Sequence, residues 1–345
     1  MMSFDPSDYS VTLRDGRVAV LRRRVCPYDP GDAAKLTSLM NYEWDAGDFH
    51  WSEAMAGRYA DSLTVVSRVA EHDGEWLGTA CIVYAVDTPR VAAVCEVMTR
   101  PDARGQGIAR ACMEAVTAEG FDRGARAVVL GTEREGNAWR VYQRVGYAWL
   151  TGGVMRCLPE GESTFDEAFF AADQAVCVRP SAWGDLPGVS MLLATPYSAL
   201  AGDYARSIFS PRHTFHPRCV SAFPTIYYPV DAVGGRCLSL IGDTPHAVLG
   251  LASVTPMSGD YRGHVGVLEV MTHDNHIKHG PKLVAAAAEA ARELGVRRLV
   301  AHVPVMDTAK VKWLRDAGAS SIGCLPDQVM LETELVDVEI YDWSI

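Results

Sequence analysis

The amino-acid sequence predicts an α/β protein made of two copies of one unit. Strand-like and helix-like segments alternate along the chain, and one strand leads through a glycine-containing loop directly into an amphipathic helix. The second half then repeats short fragments of the first half in the same order. At 345 residues, the chain is long enough for about two domains of ordinary size.

The first half begins with a strand of alternating apolar and basic residues over 17–24, followed by a helix that ends near Asn41. Strands over 63–71 and 76–86 are separated by a hairpin turn, and a third strand covers 90–99. The end of the unit has four further predicted elements: a helix over 108–124, a parallel strand over 127–132, a helix over 137–145, and a pair of strands over 147–150 and 154–158.

The loop that follows the strand over 90–99 has the composition of an anion-binding site. The first N–H groups of a helix have no intrahelical acceptor, and the helix dipole is positive at this end. Gly105 and Gly107 let an anion approach the backbone without meeting a Cβ atom, and Arg104 adds a positive charge. These residue types therefore predict a site for a diphosphate group.

The internal repeat is carried by four pairs of fragments in the same order, among them 124–130 with 295–300 and 144–146 with 316–318. Glu96 to Thr99 recurs as Glu269 to Thr272, and Leu77 to Ala80 recurs in part as Leu249 to Ala252. The spacing between the two fragments is nearly the same in both halves, which favours duplication over chance.

The repeat predicts one domain over residues 1–158 and a second over 175–345. The linker, 159–174, is acidic but contains three phenylalanines, which predicts a packed helix rather than a flexible tether. In the second copy Ile277 stands where Arg104 stands in the first, and Pro281 removes one backbone N–H from the start of the next helix. We therefore expect a degenerate second domain that stabilises the first and forms part of the acceptor site.

Composition and charge narrow the class of protein. The net charge of −11 argues against a nucleic-acid-binding surface and is compatible with a cationic small substrate. No signal peptide and no membrane-spanning apolar run is visible, so neither secretion nor membrane insertion is indicated. The nine cysteines are scattered without a C-x-x-C pair, which predicts reduced thiols in a cytoplasmic protein. The sequence leaves open whether two chains form a homodimer.

One set of motifs resembles a known family. The loop Arg104-Gly105-Gln106-Gly107-Ile108-Ala109 matches the Arg/Gln-x-x-Gly-x-Gly/Ala signature of the GCN5-related N-acetyltransferase (GNAT) superfamily. Asn137, Tyr142 and Gly146-Tyr147 match that superfamily's Asn…Tyr-x-x-x-Gly-Tyr/Phe pattern. The second copy resembles the same fold over 175–335, as in tandem members of the superfamily. The resemblance implies two GNAT-like domains, each with a mixed, mostly antiparallel central sheet flanked by helices.

The resemblance also implies an acetyl-CoA site in the first copy. The backbone N–H groups of Arg104 to Ala109 would bind the pyrophosphate of CoA. Val97, Met98 and Thr99 would pair with the pantetheine arm, and an N–H near Met98 would polarise the thioester carbonyl.

Two residues of the later motif receive roles from the same resemblance. Asn137 would donate a hydrogen bond to the pantetheine. Tyr142 would lie beside the sulfur and protonate the thiolate as it leaves. The alternative for Tyr142 is a helix tyrosine that only packs on the sheet.

The general base is a carboxylate near the thioester, because attack by an amine needs a neutral nitrogen. Glu96 is the first candidate, since it directly precedes the pantetheine-binding residues on an otherwise apolar strand. The same residue recurs as Glu269 in the degenerate copy, which favours a shared structural role instead. Glu133 and Glu43 are the reserve candidates.

The segment from Asn41 to Glu53 is the candidate acceptor site. Its acidic and aromatic side chains could enclose an ammonium group by ion pairing and cation–π contact. The alternative is a solvated loop whose aromatic residues anchor it to the core. The candidate substrate-binding residues are Glu43, Trp44, Asp45, Asp48 and Trp51.

Three histidines, His273, His276 and His279, have a spacing of three residues. On a continuous α-helix they would span too much of the circumference for a tight metal site, and no suitably spaced thiol or carboxylate joins them. We therefore predict no metal.

The sequence thus predicts an acetyl-CoA-dependent N-acetyltransferase that acts on a small cationic amine by direct transfer in a ternary complex, with an active first domain. One alternative keeps the fold but changes the chemistry to a different acyl-CoA, O-acylation or thioester decarboxylation. A second alternative is a non-enzymatic CoA-binding or scaffold protein.

Overall fold

In the computed structural model the chain forms two compact units, each with its own central β-sheet. The first unit runs to Phe165 and also takes in residues 182–191, whereas the second holds most of the remaining chain. The domain boundaries predicted at residues 158 and 175 stay a prediction. The structure describes residues 7–40, 51–87, 90–151, 153–212, 222–243, 247–259, 261–331 and 334–345.

Eight strands form the sheet of the first unit: β1 (Tyr9–Thr12), β2 (Val18–Val25), β3 (Leu63–His72), β4 (Glu75–Ala85), β5 (Val91–Thr99), β6 (Ala127–Gly131), β7 (Ala148–Thr151) and β8 (Val154–Cys157). Their order in the sheet is β1-β2-β3-β4-β5-β6-β8-β7. Every neighbouring pair is antiparallel except β5 and β6, which are parallel. The predicted hairpin at Asp73-Gly74 and the predicted parallel strand are both confirmed.

The helices of the first part of the chain are α1 (Pro30–Met40), α2 (Trp51–Met55), α3 (Ile108–Asp122), α4 (Asn137–Val145), α5 (Phe165–Phe169) and α6 (Leu186–Ala194). Helix α3 packs on β3, β4 and β5, and α4 packs beside α3. A hydrophobic core joins that side of the sheet to the two helices, and it includes Val94, Ile108, Cys112 and Tyr142. The buried phenylalanines of α5 agree with a packed linker helix.

The second unit has a seven-stranded sheet with the order β16-β17-β15-β14-β13-β12-β9. Its strands are β9 (Val176–Pro180), β12 (Arg236–Gly242), β13 (Val248–Pro256), β14 (Val265–Thr272), β15 (Arg298–Pro304), β16 (Ser320–Met330) and β17 (Leu335–Ser344), with a separate hairpin of β10 (Ala201–Asp203) and β11 (Ile208–Phe209). Its helices are α7 (Ala222–Ala232), α8 (Gly280–Glu293) and α9 (Thr308–Asp316). Among the described strands of this sheet, only β14 and β15 pair in parallel, so the prediction of two mixed, mostly antiparallel sheets is confirmed.

The repeated sequence fragments occupy the same places in the two sheets. Gly78 lies opposite Thr99 on neighbouring strands, and Gly250 lies opposite Thr272 in the same way. A Cβ atom on Gly78 would stand 2.7 Å from the carbonyl oxygen of Met98, and one on Gly250 would stand 2.8 Å from that of Met271. Both copies therefore need glycine here because the next strand passes too closely for a side chain.

The parallel strands β5 and β6 separate soon after they begin. Their pairing covers only Val91 to Ala93 on β5 and Ala127 to Val129 on β6. From Val94 onward, the edge of β5 that faces β6 has no partner strand among the described residues. The opening that results lies on the path from β5 through α3 to β6.

Strand β5 also contains a β-bulge that its counterpart in the second unit lacks. Ala80 on β4 faces two residues, Glu96 and Val97, and Glu96 has a φ of +47°. Its counterpart Glu269 instead pairs regularly with Ser253 on β13. A bulge bends its strand and leaves the extra residue out of the ladder, so the two equivalent glutamates have different backbone settings.

Glu269 is a buried structural residue in the second unit. Its carboxylate accepts hydrogen bonds of 3.0 Å from the N–H groups of Tyr204 and Ala205, in the turn of the β10–β11 hairpin. Burial, and then the nearby charge of Asp203, raise the pKa of Glu269 to about 8, while Lys310 and the two N–H groups oppose the rise.

This raised pKa predicts that Glu269 makes stability depend on pH. Because the carboxyl group ionises more easily in the unfolded chain, stability is lost as pH rises from about 4.5 to about 8. We expect the melting temperature of Glu269→Gln to fall less over this range than that of the wild type, measured by thermal unfolding in a pH series. Glu289→Gln, on the exposed face of α8, is the control and should follow the wild type. Parallel curves for wild type and Glu269→Gln would contradict the assignment.

In the part of the chain that the structure describes, no helix is both long enough and apolar enough to cross a membrane.

Candidate active site

The segment between β5 and α3 is a compact loop that begins with a 3-10 helix, Pro101–Ala103. Gly105 and Gly107 follow with φ values of +77° and +93°, a region that glycine enters without steric cost. A Cβ atom at either position would meet nothing within 4 Å. The glycines are therefore required by the backbone conformation, and their outer faces are open.

Six successive backbone N–H groups, from Gly105 to Arg110, donate no hydrogen bond to any described residue. They lie at the positive end of α3, a helix of 15 residues, and Gly107 begins it without a side-chain cap. Unpaired N–H groups at a helix N-terminus are the usual backbone ligands of phosphate groups. The diphosphate site expected from the sequence would use these donors, and it stays a prediction.

A second segment holds this loop in place. The turn between β1 and β2 donates to Gln106 twice, from Asp15 N to the side-chain Oε1 (2.9 Å) and from Arg14 N to the carbonyl oxygen (3.4 Å). Arg104 is exposed, and its Nε donates to the carbonyl oxygen of Thr99 at 3.4 Å. The loop was predicted from the sequence, but its contact with this turn was not. The Asp15-Gly16 pair is a common turn signal that could have indicated the turn itself.

The residues expected to bind the pantetheine lie on the free edge of β5. Val97 packs against the main core, Met98 is buried, and the hydroxyl of Thr99 is buried without a hydrogen-bond partner. Because β6 has already separated from β5 at this point, the edge of β5 is open to an extended ligand.

Tyr142 lies on the buried face of α4 and joins the same core cluster as Val97 and Ile108. Its hydroxyl makes no hydrogen bond with a described residue, whereas the hydroxyl of Tyr147 is 2.8 Å from Oγ1 of Thr117. Burial raises the pKa of Tyr142, so its phenol stays protonated near neutral pH. Of these two tyrosines, only Tyr142 has a hydroxyl that can serve a ligand.

Two further candidates lie at the surface. Asn137 is the exposed first residue of α4, and Glu133 is exposed after β6. Neither side chain has a hydrogen bond with a described residue.

Most of the candidate acceptor site lies outside the described residues: Glu43, Trp44, Asp45 and Asp48. Trp51 begins α2, but its side chain is likewise outside the description. The acceptor site therefore stays a prediction from the sequence.

Comparison with known proteins finds a family match within the first unit. Residues 36–147, which hold β3 to β6, α3 and α4, match the sequence model of the Acetyltransferase (GNAT) family. This part of the chain is similar to GNAT acetyltransferases. No curated protein matches the chain in a sequence search.

Solved structures similar to the chain are also acetyltransferases. Ribosomal-protein-alanine N-acetyltransferase from Brucella melitensis is 19% identical, with a TM-score of 0.40 over 49% of this chain and 99% of its own. N-acetyltransferase from Staphylococcus aureus is 14% identical, with a TM-score of 0.41 over 49% and 98%. A GNAT superfamily phosphinothricin acetyltransferase from Sinorhizobium meliloti, in complex with acetyl-CoA, is 12% identical, with a TM-score of 0.40 over 49% and 88%.

The second unit has a different loop at the position equivalent to the loop between β5 and α3. A 3-10 helix, Asp274–His279, lies between β14 and α8. The N–H of Asn275 donates to Nδ1 of His273, which caps the start of this helix. The N–H of Gly280 donates back to the carbonyl oxygen of Ile277, and Pro281 has no N–H. This loop therefore lacks the row of unused backbone N–H groups that the loop between β5 and α3 has in the first unit.

A tryptophan also covers the start of α8. A Cβ atom on Gly280 would stand 2.0 Å from the indole ring of Trp313, a buried residue of α9. The aromatic side chain thus lies against the backbone where an anion would have to approach. The cavity that remains beside it has a volume of about 80 Å³.

The three histidines of this loop lie on a 3-10 helix rather than on an α-helix. His273 precedes this helix, and His276 and His279 belong to it. In a 3-10 helix, residues three apart lie on one face. Their ring centroids are 6.4 Å apart for His273 and His276 and 5.8 Å apart for His276 and His279. The expectation that helix geometry keeps the three histidines apart was therefore wrong. Within the described ranges, however, no three metal-binding side chains are grouped around a common point.

Gly78 on β4 packs closely against β5 and the start of α3, so a substitution there tests this packing. A Cβ atom there would stand 2.7 Å from both Cγ2 of Ile108 and the carbonyl oxygen of Met98. We expect Gly78→Ala to lower the free energy of unfolding by about 1–3 kcal/mol because the start of α3 must move. Gly136→Ala is the control, since its Cβ would come no closer than 3.8 Å to another atom. Equal stability of the two variants in chemical denaturation would refute the packing argument.

Proposed function

We propose that the GNAT domain transfers an acetyl group from acetyl-CoA to a small cationic amine by direct transfer in a ternary complex. The observation that carries the proposal is the row of six unused N–H groups at the start of α3, beside two glycines in the left-handed region. These N–H groups can donate hydrogen bonds to the diphosphate of CoA, and the positive end of the helix dipole favours an anion there.

The open edge of β5 supports a position for the rest of the cofactor. An extended pantetheine can pair with Val97, Met98 and Thr99 as an added strand, because β6 leaves that edge free. The thioester carbonyl would then lie near the bulge at Glu96, where an N–H near Met98 can stabilise the oxyanion.

Tyr142 is proposed as the general acid. Attack of the amine nitrogen on the thioester carbon forms a tetrahedral intermediate, which collapses by breaking the carbon–sulfur bond. The leaving thiolate takes the phenolic proton of Tyr142, whose hydroxyl makes no hydrogen bond with a described residue.

Glu96 is proposed as the general base that takes the proton from the attacking amine, directly or through a water. Its left-handed backbone at the bulge supports a functional role, since strained residues are over-represented at active sites. Glu269 lacks this conformation and is bound by the N–H groups of Tyr204 and Ala205. The two glutamates therefore need not share one role.

The acceptor class is inferred from the acidic and aromatic segment from Asn41 to Glu53 and from the net charge of −11. The second domain is proposed as a structural partner without acetyl-CoA chemistry of its own. The support for this is the loop Asp274–His279 and the position of Trp313 against Gly280.

A thiol-release assay tests the function. The full chain is incubated with acetyl-CoA and with longer or carboxylated acyl-CoAs, with and without a panel of amines, and free CoA thiol is followed. We expect thiol release that needs both acetyl-CoA and an amine. Release without an acceptor, together with loss of carbon dioxide, would indicate decarboxylation instead. CoA binding without release under any condition would indicate a scaffold.

The asymmetry between the two loops gives a direct prediction. Arg104→Glu should abolish CoA binding because it places a negative charge beside the unused N–H groups. Ile277→Glu, which introduces a carboxylate at the equivalent place in the second domain, should leave binding unchanged. Isothermal titration of both variants with CoA measures this, and an equal loss in both would show that the second loop is used.

The proposed acid gives a second prediction. Tyr142→Phe should lower kcat by about 10²-fold or more, while the dissociation constant for acetyl-CoA changes little, because the phenolic proton acts only on the leaving group. Tyr147→Phe is the matched control: it loses the bond to Thr117 and should cost about 1 kcal/mol of stability without a comparable loss of kcat. A wild-type kcat for Tyr142→Phe would remove Tyr142 from the mechanism.

A further inference from the structure

We propose that Arg14, in the turn between β1 and β2, binds the 3′-phosphate of CoA and makes the first domain selective for the 3′-phosphorylated form of the cofactor. The inference rests on the proposed acyl-CoA site at the start of α3. It adds a second anion subsite, for a phosphate monoester, at a place outside the signature loop.

The turn that holds Arg14 is bonded to the loop between β5 and α3. Arg14 and Asp15 both donate backbone hydrogen bonds to Gln106, which lies within the row of unused donors. The turn itself is ordered by a bond of 2.8 Å from Leu13 N to the carbonyl oxygen of Arg17. Asp15 accepts from both the N–H and the Nε of Arg17. The position of Arg14 is therefore fixed relative to the loop.

Arg14 differs from the other arginines around the loop. Arg17, Arg100 and Arg110 form ion pairs with Asp15, Asp102 and Glu114, at 2.6–2.7 Å. Arg14 is exposed, and its guanidinium has neither an ion pair nor a hydrogen bond among the residues that the structure describes. Its donors are available to a ligand.

The charge around the loop differs from that of the chain as a whole. The arginines there are Arg14, Arg17, Arg100, Arg104 and Arg110, and they outnumber the carboxylates Asp15, Glu75, Asp102 and Glu114. The chain as a whole carries a net charge of −11, so a positive surface here runs against its overall balance. Such a local excess favours the binding of an anion at this place.

CoA has a diphosphate and, at its nucleotide end, a separate phosphate monoester on the 3′ oxygen. The N–H groups from Gly105 to Arg110 can serve the diphosphate, which leaves the monoester to a side chain. A guanidinium suits this group because its planar fork can donate two parallel hydrogen bonds to phosphate oxygens.

The test compares CoA with 3′-dephospho-CoA, which lacks only this phosphate. Isothermal titration of the full chain should give the wild type an affinity for CoA about tenfold or more above that for 3′-dephospho-CoA. Arg14→Ala should bring the two affinities to within about twofold of each other, by weakening CoA alone. Arg14→Lys should give an intermediate ratio, because it keeps the charge but not the fork.

Arg110→Ala is the charge-matched control, since it also removes one positive charge beside the loop, from an arginine already paired with Glu114. It should weaken both ligands alike and leave their ratio unchanged. Equal affinities of the wild type for the two ligands, or an unchanged ratio in Arg14→Ala, would overturn the proposal while leaving the acyl-CoA site in place. Failure of the wild type to bind either ligand would instead count against the proposed function.

Discussion

The separation of two parallel strands is the constraint on which the first domain depends. Strands β5 and β6 pair over only three residues each and then diverge, although α3 joins them and both contribute to one core. A strand edge without a partner normally costs hydrogen bonds, and a ligand that pairs with it can restore them. The same divergence leaves the start of α3 at the surface, so that its N–H groups are free for an anion. The open edge and the proposed anion site are thus two results of one departure from regular pairing.

The second domain has the same divergence, since β14 and β15 also pair over only three residues. What differs is how the exposed groups are satisfied. In the second copy the loop folds into a 3-10 helix, Trp313 lies against Gly280, and the carboxylate of Glu269 binds the turn of an added hairpin. In the first copy the loop donors stay unused and Glu96 lies in a bulge. One fold therefore supports a site that is open to a ligand and a site whose polar groups are satisfied within the protein.

The sequence was sufficient to predict the elements whose signals are local. The hairpin at Asp73-Gly74, the helix from Ile108 and the parallel strand from Ala127 all have patterns that need no knowledge of the rest of the chain. Features that depend on tertiary contacts were missed. The bulge at Glu96 depends on the register between β4 and β5, and the histidine loop depends on a choice between α and 3-10 geometry that spacing alone cannot make. The turn at Arg14 gains its meaning only from its contact with Gln106, about 90 residues away in the chain.

Comparison of the two copies within one chain separates residues needed for folding from residues available for chemistry. Gly78 and Gly250 meet the same kind of carbonyl contact in both copies, so their recurrence needs no ligand to explain it. Arg104 and Tyr142 have no counterpart of the same type in the second copy, where Ile277 lies in the equivalent loop and Trp313 lies in α9, the helix equivalent to α4. Glu96 belongs to a third class: its residue type recurs, but its backbone conformation does not. For such a residue, identity between the copies says little about role, and the local backbone is the better guide. The bulge that sets Glu96 apart lies on the same strand as the open edge, which connects the candidate base to the divergence of β5 and β6.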